Sequence, residues 1–276
     1  MAAVTPTENR LANLLDRRRI AVIPVRGVIG GAVRGVDLFR LLEKVRTRDN
    51  IAAVVLDIDS PGGSATTSEA MYIAVRRVAA KKPVVAWFRG TGASGAYFLA
   101  CGATRILTFP SAIVGSIGVI SVRPLLVDAL KRIGAEMVVT KSGPFKDLGA
   151  PWRHPTDAER AKEQQLVDAI FDRFTTTVAT ARNLNREQLE RVTTGEVWLG
   201  TEAVQLQLVD GLAETENEAI AAAQELCGLD RPRIARMGLA RSVLQRLGVP
   251  GAGMGPPGPR WALEIEGWMR LPTPRL

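Results

Sequence analysis

The run Ile51-Ala52-Ala53-Val54-Val55-Leu56-Asp57-Ile58 is almost continuously apolar and ends abruptly on Asp59-Ser60-Pro61-Gly62-Gly63. A strand with one wet face alternates apolar and polar residues. An unbroken run predicts a strand buried on both faces, the habit of a parallel sheet covered by helices. The same arrangement recurs along the chain. Ile20 to Val25 reads as a first strand ending in the turn Arg26 to Gly31, and Leu38, Leu41, Leu42 and Val45 give a helix over 36–46. Ser64 is placed to cap a helix running to Ala80. Pro83 to Phe88 is a further strand. Shorter strands are predicted at 105–108, 117–121 and 136–140, and helices at 125–133, 156–183, 186–192 and 202–206. This alternation predicts an α/β fold with a mainly parallel sheet flanked by helices.

A chain of 276 residues buries a sizeable core as one large domain or two small ones. Its two cysteines, Cys101 and Cys227, have no metal spacing and make no disulfide framework, which points to a reducing cytosol. No stretch approaches the ~18 apolar residues of a transmembrane helix, so a soluble or peripheral protein is expected. The net charge of +8 is unevenly placed. From Arg231 onward eight arginines face only Glu264 and Glu266, leaving the rest nearly neutral. The basicity therefore belongs to an appendage. Residues 248–259 hold four Pro and five Gly and read as a linker, with short helices possible at 242–247 and 261–269. Three segments follow: a polar N-terminal stretch 1–18, a main domain 19–229, and a basic Arg/Pro/Gly-rich extension 230–276.

The most chemically suggestive segment is Arg89-Gly90-Thr91-Gly92-Ala93-Ser94-Gly95-Ala96-Tyr97, a glycine-rich turn between a strand and a helix. A serine there stands beside the free N–H groups of a new helix. Gly90-x-Gly92-x-x-Gly95 matches a dinucleotide fingerprint, but no Asp or Glu lies between Ser94 and Val127 to bind a ribose. An α/β-hydrolase elbow requires Gly where Ala96 stands. The structural alternative makes Ser94 a helix cap and the glycines mere packing residues. The chain holds one histidine, His154, in a polar turn that suits a surface residue, so a base for Ser94 is sought among lysines. Cys101 and Tyr97 fit a core.

Three further features bear on that choice: Asp59 to Gly63 at the end of a buried strand, the small-residue turn Gly115-Ser116-Ile117-Gly118-Val119, and Lys141-Ser142-Gly143-Pro144-Phe145-Lys146-Asp147. Together with Pro110-Ser111 and 195–210, in this order, they resemble peptidase family S49, the signal peptide peptidase or protease IV family, over residues 19–226. The resemblance implies a ClpP/crotonase-like fold and a serine endopeptidase with a Ser–Lys dyad. It places the nucleophile at Ser94, the base at Lys146, the oxyanion hole at the N–H groups of Gly63 and Gly95, and a lysine-orienting hydroxyl at Ser116. Lys141, first of the lysine pair, is then structural. It implies no cofactor and no metal. His154 stands where the family often has an acid, the family's frequent membrane anchor is missing, and the tail matches no family pattern.

The chemistry is consistent with that reading. A serine hydroxyl needs a base, and a lysine serves only when neutral, which burial favours by penalising the ammonium form. The implied substrates are signal-peptide remnants or other short apolar peptides, and the implied assembly is a ring-shaped homo-oligomer, an octamer, with sites shared between chains. Arg233, Arg236, Arg241 and Arg246 interleave with Ile234, Met237, Val243 and Leu247, a pattern suited to peripheral contact with an anionic membrane at the cytoplasmic face. The tail has no nucleic-acid motif, so no nucleic-acid partner is expected. Two other functions fit the fold: a crotonase-like acyl-CoA enzyme, opposed by the acid-free interval after Ser94, and a non-catalytic assembly or membrane-scaffold protein, opposed by the intact Ser94 and Lys146.

Overall fold

The computed structural model describes residues 18–238. The N-terminal stretch before Arg18 and the linker with its flanking helices lie outside the described residues. The chain forms two compact units, one of 18–118 with 174–238 and one of 119–173. In chain order the elements are β1 (Arg19–Arg26), α1 (Gly35–Thr47), β2 (Ile51–Ser60), α2 (Ala65–Ala79), β3 (Val84–Ala93), α3 (Gly95–Ala100), β4 (Arg105–Thr108) and β5 (Ile113–Gly115). Then follow α4 (Val127–Arg132), α5 (Asp157–Arg182), α6 (Arg186–Val192), β6 (Val197–Leu199), α7 (Gly200–Gln205), β7 (Gly211–Leu212), α8 (Glu216–Cys227) and β8 (Arg233–Arg236).

The first unit is built on one sheet in the order β6-β5-β3-β2-β1-β8, with β4 beside β3 and β7 beside β4. Every pairing is parallel except β5 with β6. The apolar run at 51–58 becomes β2, and the period of two divides its residues between two cores. Val54, Leu56 and Ile58 join Ala21, Ile23 and Val25 of β1 under Leu38 and Leu42 of α1 and Met71 and Val75 of α2. Ala53 and Val55 join Ile20, Val22, Val85 and Trp87 beneath Ala219, Ile220 and Ala223 of α8. Each fully buried aliphatic side chain contributes about 1.5–3 kcal/mol, so covering both faces is what makes such a strand stable. Asp57, the one charge in the run, is buried and ion-paired with Arg26 and, at 3.5 Å, with Arg89.

β3 is longer than its apolar core. It pairs with β4 over Val85–Phe88 and with β5 over Thr91–Ala93, and its register with β2 shifts between Phe88 and Gly92. Asp59 lies at that shift, and its carboxylate accepts the Thr91 N–H at 3.0 Å. A Cβ at Gly90 would stand 2.7 Å from that carboxylate, and one at Gly92 only 2.1 Å from the Phe88 ring. The fingerprint-like glycine spacing is thus fixed by packing.

Five elements lie beyond the sequence reading: β5, β6, β7, α8 and β8. α8 carries ordinary boundary signals, with the Thr215 hydroxyl accepting the Glu218 N–H at its start and Gly228 at φ +67° at its end. Its apolar stripe is mostly alanine, which gives a weak periodic signal. β8 pairs with β1 from Arg19↔Arg233 to Val22↔Arg236, so the sheet continues past the boundary drawn at 229.

The second unit holds α4 and the first turns of α5. The strands predicted at 117–121 and 136–140 join no ladder among the described residues. Their apolar residues match a strand, but a strand also needs a partner edge. No apolar side chain of 119–173 is among the buried ones, and Ile120, Ile133 and Val138 are 73, 76 and 91% exposed. Among the described residues no helix is long and apolar enough to cross a membrane.

Candidate active site

Ser94 occupies the turn between β3 and α3 with φ 52° and ψ −123°. This is left-handed territory for a residue with a Cβ and costs on the order of 1–3 kcal/mol. The surroundings enforce it: the Ser94 N–H donates to the Gly115 carbonyl at 2.8 Å, while its own carbonyl accepts from Phe98 N–H at 2.9 Å. A strand-to-helix turn of this kind lifts the side chain off the backbone. Ser94 stands at the N-cap position of α3, yet its hydroxyl makes no capping hydrogen bond. The reading of Ser94 as a plain helix cap therefore lacks the contact it requires.

The Asp59–Gly63 turn lies against this serine. A Cβ on Gly62 would be 2.8 Å from Ser94 Cβ and 2.6 Å from the Gly95 nitrogen. The peptide joining Gly62 to Gly63 is held on its oxygen side, because Ile29 N–H donates to the Gly62 carbonyl at 2.8 Å. No peptide bond here is cis, so the N–H of that peptide points away from Ile29. Ser60, fully buried, uses its hydroxyl oxygen to accept the Gly62 N–H at 3.2 Å. The Gly63 and Gly95 N–H groups donate to no protein acceptor among the described residues. A Cβ on Gly95 would sit 3.5 Å from the Gly63 nitrogen and 2.1 Å from Ser68 Oγ. Two donors without a protein acceptor among the described residues therefore lie at the serine turn. Such a pair can bind the oxyanion of a tetrahedral intermediate, at about 2.7–4 kcal/mol per donor.

Ser116 reaches the same neighbourhood through the β3–β5 pairing, since Ala93 lies opposite Gly115. It too has a positive φ, 50°, and its N–H donates to the Glu196 carbonyl at 2.6 Å. Ser94, Gly95, Gly63 and Ser116 are thus gathered in the first unit. Lys146 belongs to the second, on a turn closed by Lys146 N–H to the Gly143 carbonyl at 3.2 Å. The two lysines of that segment differ. Lys141 Nζ is engaged by Asp147 Oδ1 at 2.7 Å and the Pro144 carbonyl at 3.1 Å. The Lys146 side chain is exposed and makes no ion pair among the described residues.

Other residues fall where their chemistry suggests. Tyr97 is buried and donates its hydroxyl to the Leu208 carbonyl at 2.8 Å. Burial pushes the Cys101 thiol up to about 12, so it is no thiolate. His154 is exposed. Sequence reasoning missed Ile29 and Ser60, which aim and brace the Gly62–Gly63 peptide. Ser60 had a local signal, a serine two residues before a glycine in a turn. Ile29 had none, because its part is played by the backbone and set by strand order.

Comparison with known proteins bears on the family and the fold. Residues 76–230 match the family description Peptidase family S49, and residues 29–113 match Clp protease. The protease candidate slr0021 of Synechocystis sp. is 35% identical over 218 residues, 79% of this chain and 78% of that one. Protease 4 of Salmonella typhi is 34% identical over 222 residues, 76% of this chain but 35% of its own length. A solved membrane-bound stomatin-specific protease, 16% identical, superposes with a TM-score of 0.53 over 83% of this chain and all of its own, a likeness of fold. The chain belongs to peptidase family S49 and has the ClpP-like fold of a serine peptidase.

Proposed function

We propose that this peptidase cleaves short apolar peptides, signal-peptide remnants among them, as an endopeptidase with a Ser94–Lys146 dyad. Ser94 Oγ attacks the scissile carbonyl carbon while neutral Lys146 takes the hydroxyl proton. The oxyanion is bound by the Gly63 and Gly95 N–H groups. Lys146 then returns the proton to the leaving amine, which departs as the C–N bond breaks and leaves an acyl ester on Ser94. Water, deprotonated by the same amine, attacks the ester and releases the carboxyl product. Ser116 orients the amine through its hydroxyl. The observation that carries this reading is the pair of unengaged donors beside a strained, uncapped Ser94. The choice between lysines is supported by the bonding of Lys141, whose ammonium is already held. Membership of a peptidase family displaces the acyl-CoA alternative.

The sites form between copies of this chain in a ring. Support comes from the second unit, where residues 119–173 bury no apolar side chain while several stand open to solvent. Exposed apolar surface of this kind marks an interaction site. A partner covering it would also supply the desolvation that a lysine base needs. The test mixes two inactive variants, Ser94→Ala and Lys146→Ala, under conditions that allow subunit exchange. Shared sites predict partial return of peptide cleavage, because some interfaces pair an intact serine with an intact lysine. Mixed assemblies that form and stay inactive would place both groups in one chain. Full activity of Ser94→Ala alone would remove the dyad.

A further inference from the structure

The turn that carries Lys146 is gripped by an ionic clamp that the proton-transfer scheme does not use. The Asp147 side chain is 8% exposed and Glu159 3%, and the Arg153 guanidinium stands between them. Arg153 donates to Asp147 through Nε and Nη2, each at 2.7 Å, and to Glu159 through Nη1 at 2.8 Å and again through Nη2. Glu159 reaches on to the start of α5, accepting the Thr156 N–H at 2.8 Å, while the Thr156 hydroxyl accepts the Glu159 N–H at 3.2 Å. Lys141 closes the other side through Asp147 and the Pro144 carbonyl. The guanidinium holds both carboxyls well below the ordinary carboxylate range, Glu159 at about 2.

Stability alone is a weak reason for such a cluster, because nearly buried carboxylates lose hydration that pairing only offsets. What the clamp does achieve is geometric. It ties the residues on both sides of Lys146 to the first turn of α5, while the Lys146 ammonium makes no ion pair among the described residues.

We propose that Arg153 is a positioning residue for peptide hydrolysis, fixing through Asp147 and Glu159 the turn that presents the Lys146 amine. This rests on Lys146 being the base. Arg153 touches no reacting atom. Its planar fork makes paired bonds to both carboxylates, a geometry that the point charge of a lysine ammonium reproduces only in part.

The full-length protein is assayed with an internally quenched apolar peptide. Arg153→Met is expected to lower kcat about 10- to 100-fold, the cost of a misplaced catalytic group, with KM little changed. Arg153→Lys should recover part of the loss. Asp147→Asn with Arg153→Met should be no slower than Arg153→Met alone, because the two act through one another. Arg153→Met leaves Glu159 without its cation and Asp147 with Lys141 alone, and can unfold the turn. A neutral triple variant, Asp147→Asn with Arg153→Met and Glu159→Gln, therefore provides a folded control that should remain slow. Wild-type kcat in that folded triple variant, or a loss confined to KM, overturns the proposal. Lys146→Ala separates the two ideas. If it is inactive while Arg153 variants keep full kcat, the clamp alone fails; if it is active, the base assignment fails first.

Discussion

The serine turn and the lysine turn of this peptidase are built to different standards. Around Ser94 the neighbours of the reacting groups are fixed by strand pairing, buried hydroxyls and glycines that admit no Cβ. Around Lys146 the turn is held by charges, and the apolar side chains nearby, Phe145 and Met137–Val139, face solvent. A hydroxyl nucleophile needs fixed geometry and two donors, which one chain supplies. A lysine base needs low polarity around it, which residues 119–173 do not supply by themselves. On the proposed dyad, the serine half of the site is finished inside one fold and the lysine half awaits cover by a second chain.

The strongest way to break the comparison is at its finished end. Ser94→Ala should reduce kcat about 10⁴-fold or more with little change in circular dichroism. Ser94→Gly should be equally inactive but more stable than the alanine variant, by about 1–3 kcal/mol, because glycine relieves the positive φ. Equal melting temperatures for the two variants would show that the turn stores no strain. Next in size is Gly95→Ala, whose Cβ would stand 2.1 Å from Ser68 Oγ. Pushing one donor off its aim should cost about 10²–10³ in kcat, read in steady-state kinetics, and unchanged kcat would remove Gly95 from the oxyanion site.

At the unfinished end, Val138→Asp places a charge on a side chain that is 91% exposed. It should leave the fold intact, shift sedimentation toward smaller species and lower activity at a given concentration. Unaltered sedimentation would mean that this face is not the contact. A smaller effect concerns acid. The Glu159 carboxyl is held at about 2 against an ordinary 4.5, and Asp147 is also lowered. The clamp's contribution is thus complete above about 4.5 and is lost as pH falls toward 2. Melting temperature should fall across that window, and the fall should be shallower in the neutral triple variant. The smallest effect is expected from ending the chain after Gly238, which should leave the melting temperature nearly unchanged. Ending it after Asp230 removes β8 from the edge of β1 and should lower it measurably.

Much of the first unit was legible in residue order. Unbroken apolar runs fixed β1, β2 and β3, because only strands covered on both faces use them, and Gly-rich turns marked their ends. Ser94, Gly63, Gly95 and Lys146 stood out through motifs in a set order, which local chemistry and family resemblance read together. The segments 117–121 and 136–140 misled, since apolar content signals a strand without saying whether a partner edge exists. α8 and β8 escaped because an alanine stripe and a short arginine-bearing strand carry little periodicity.

Residue order alone was enough for the parallel sheet that carries Ser94 and for naming the candidate reacting groups that the proposal uses, because both depend on residue type at short spacing. Folding had to decide that Ile29 aims the Gly63 N–H, that Lys141 is occupied while Lys146 has no ion pair among the described residues, and that Arg153 joins Asp147 to Glu159. These depend on backbone direction and on which distant residues meet, and neither is written in local order. The trans peptide turns one hydrogen bond to an oxygen into the direction of the opposite N–H, and folding alone selects which oxygen is held.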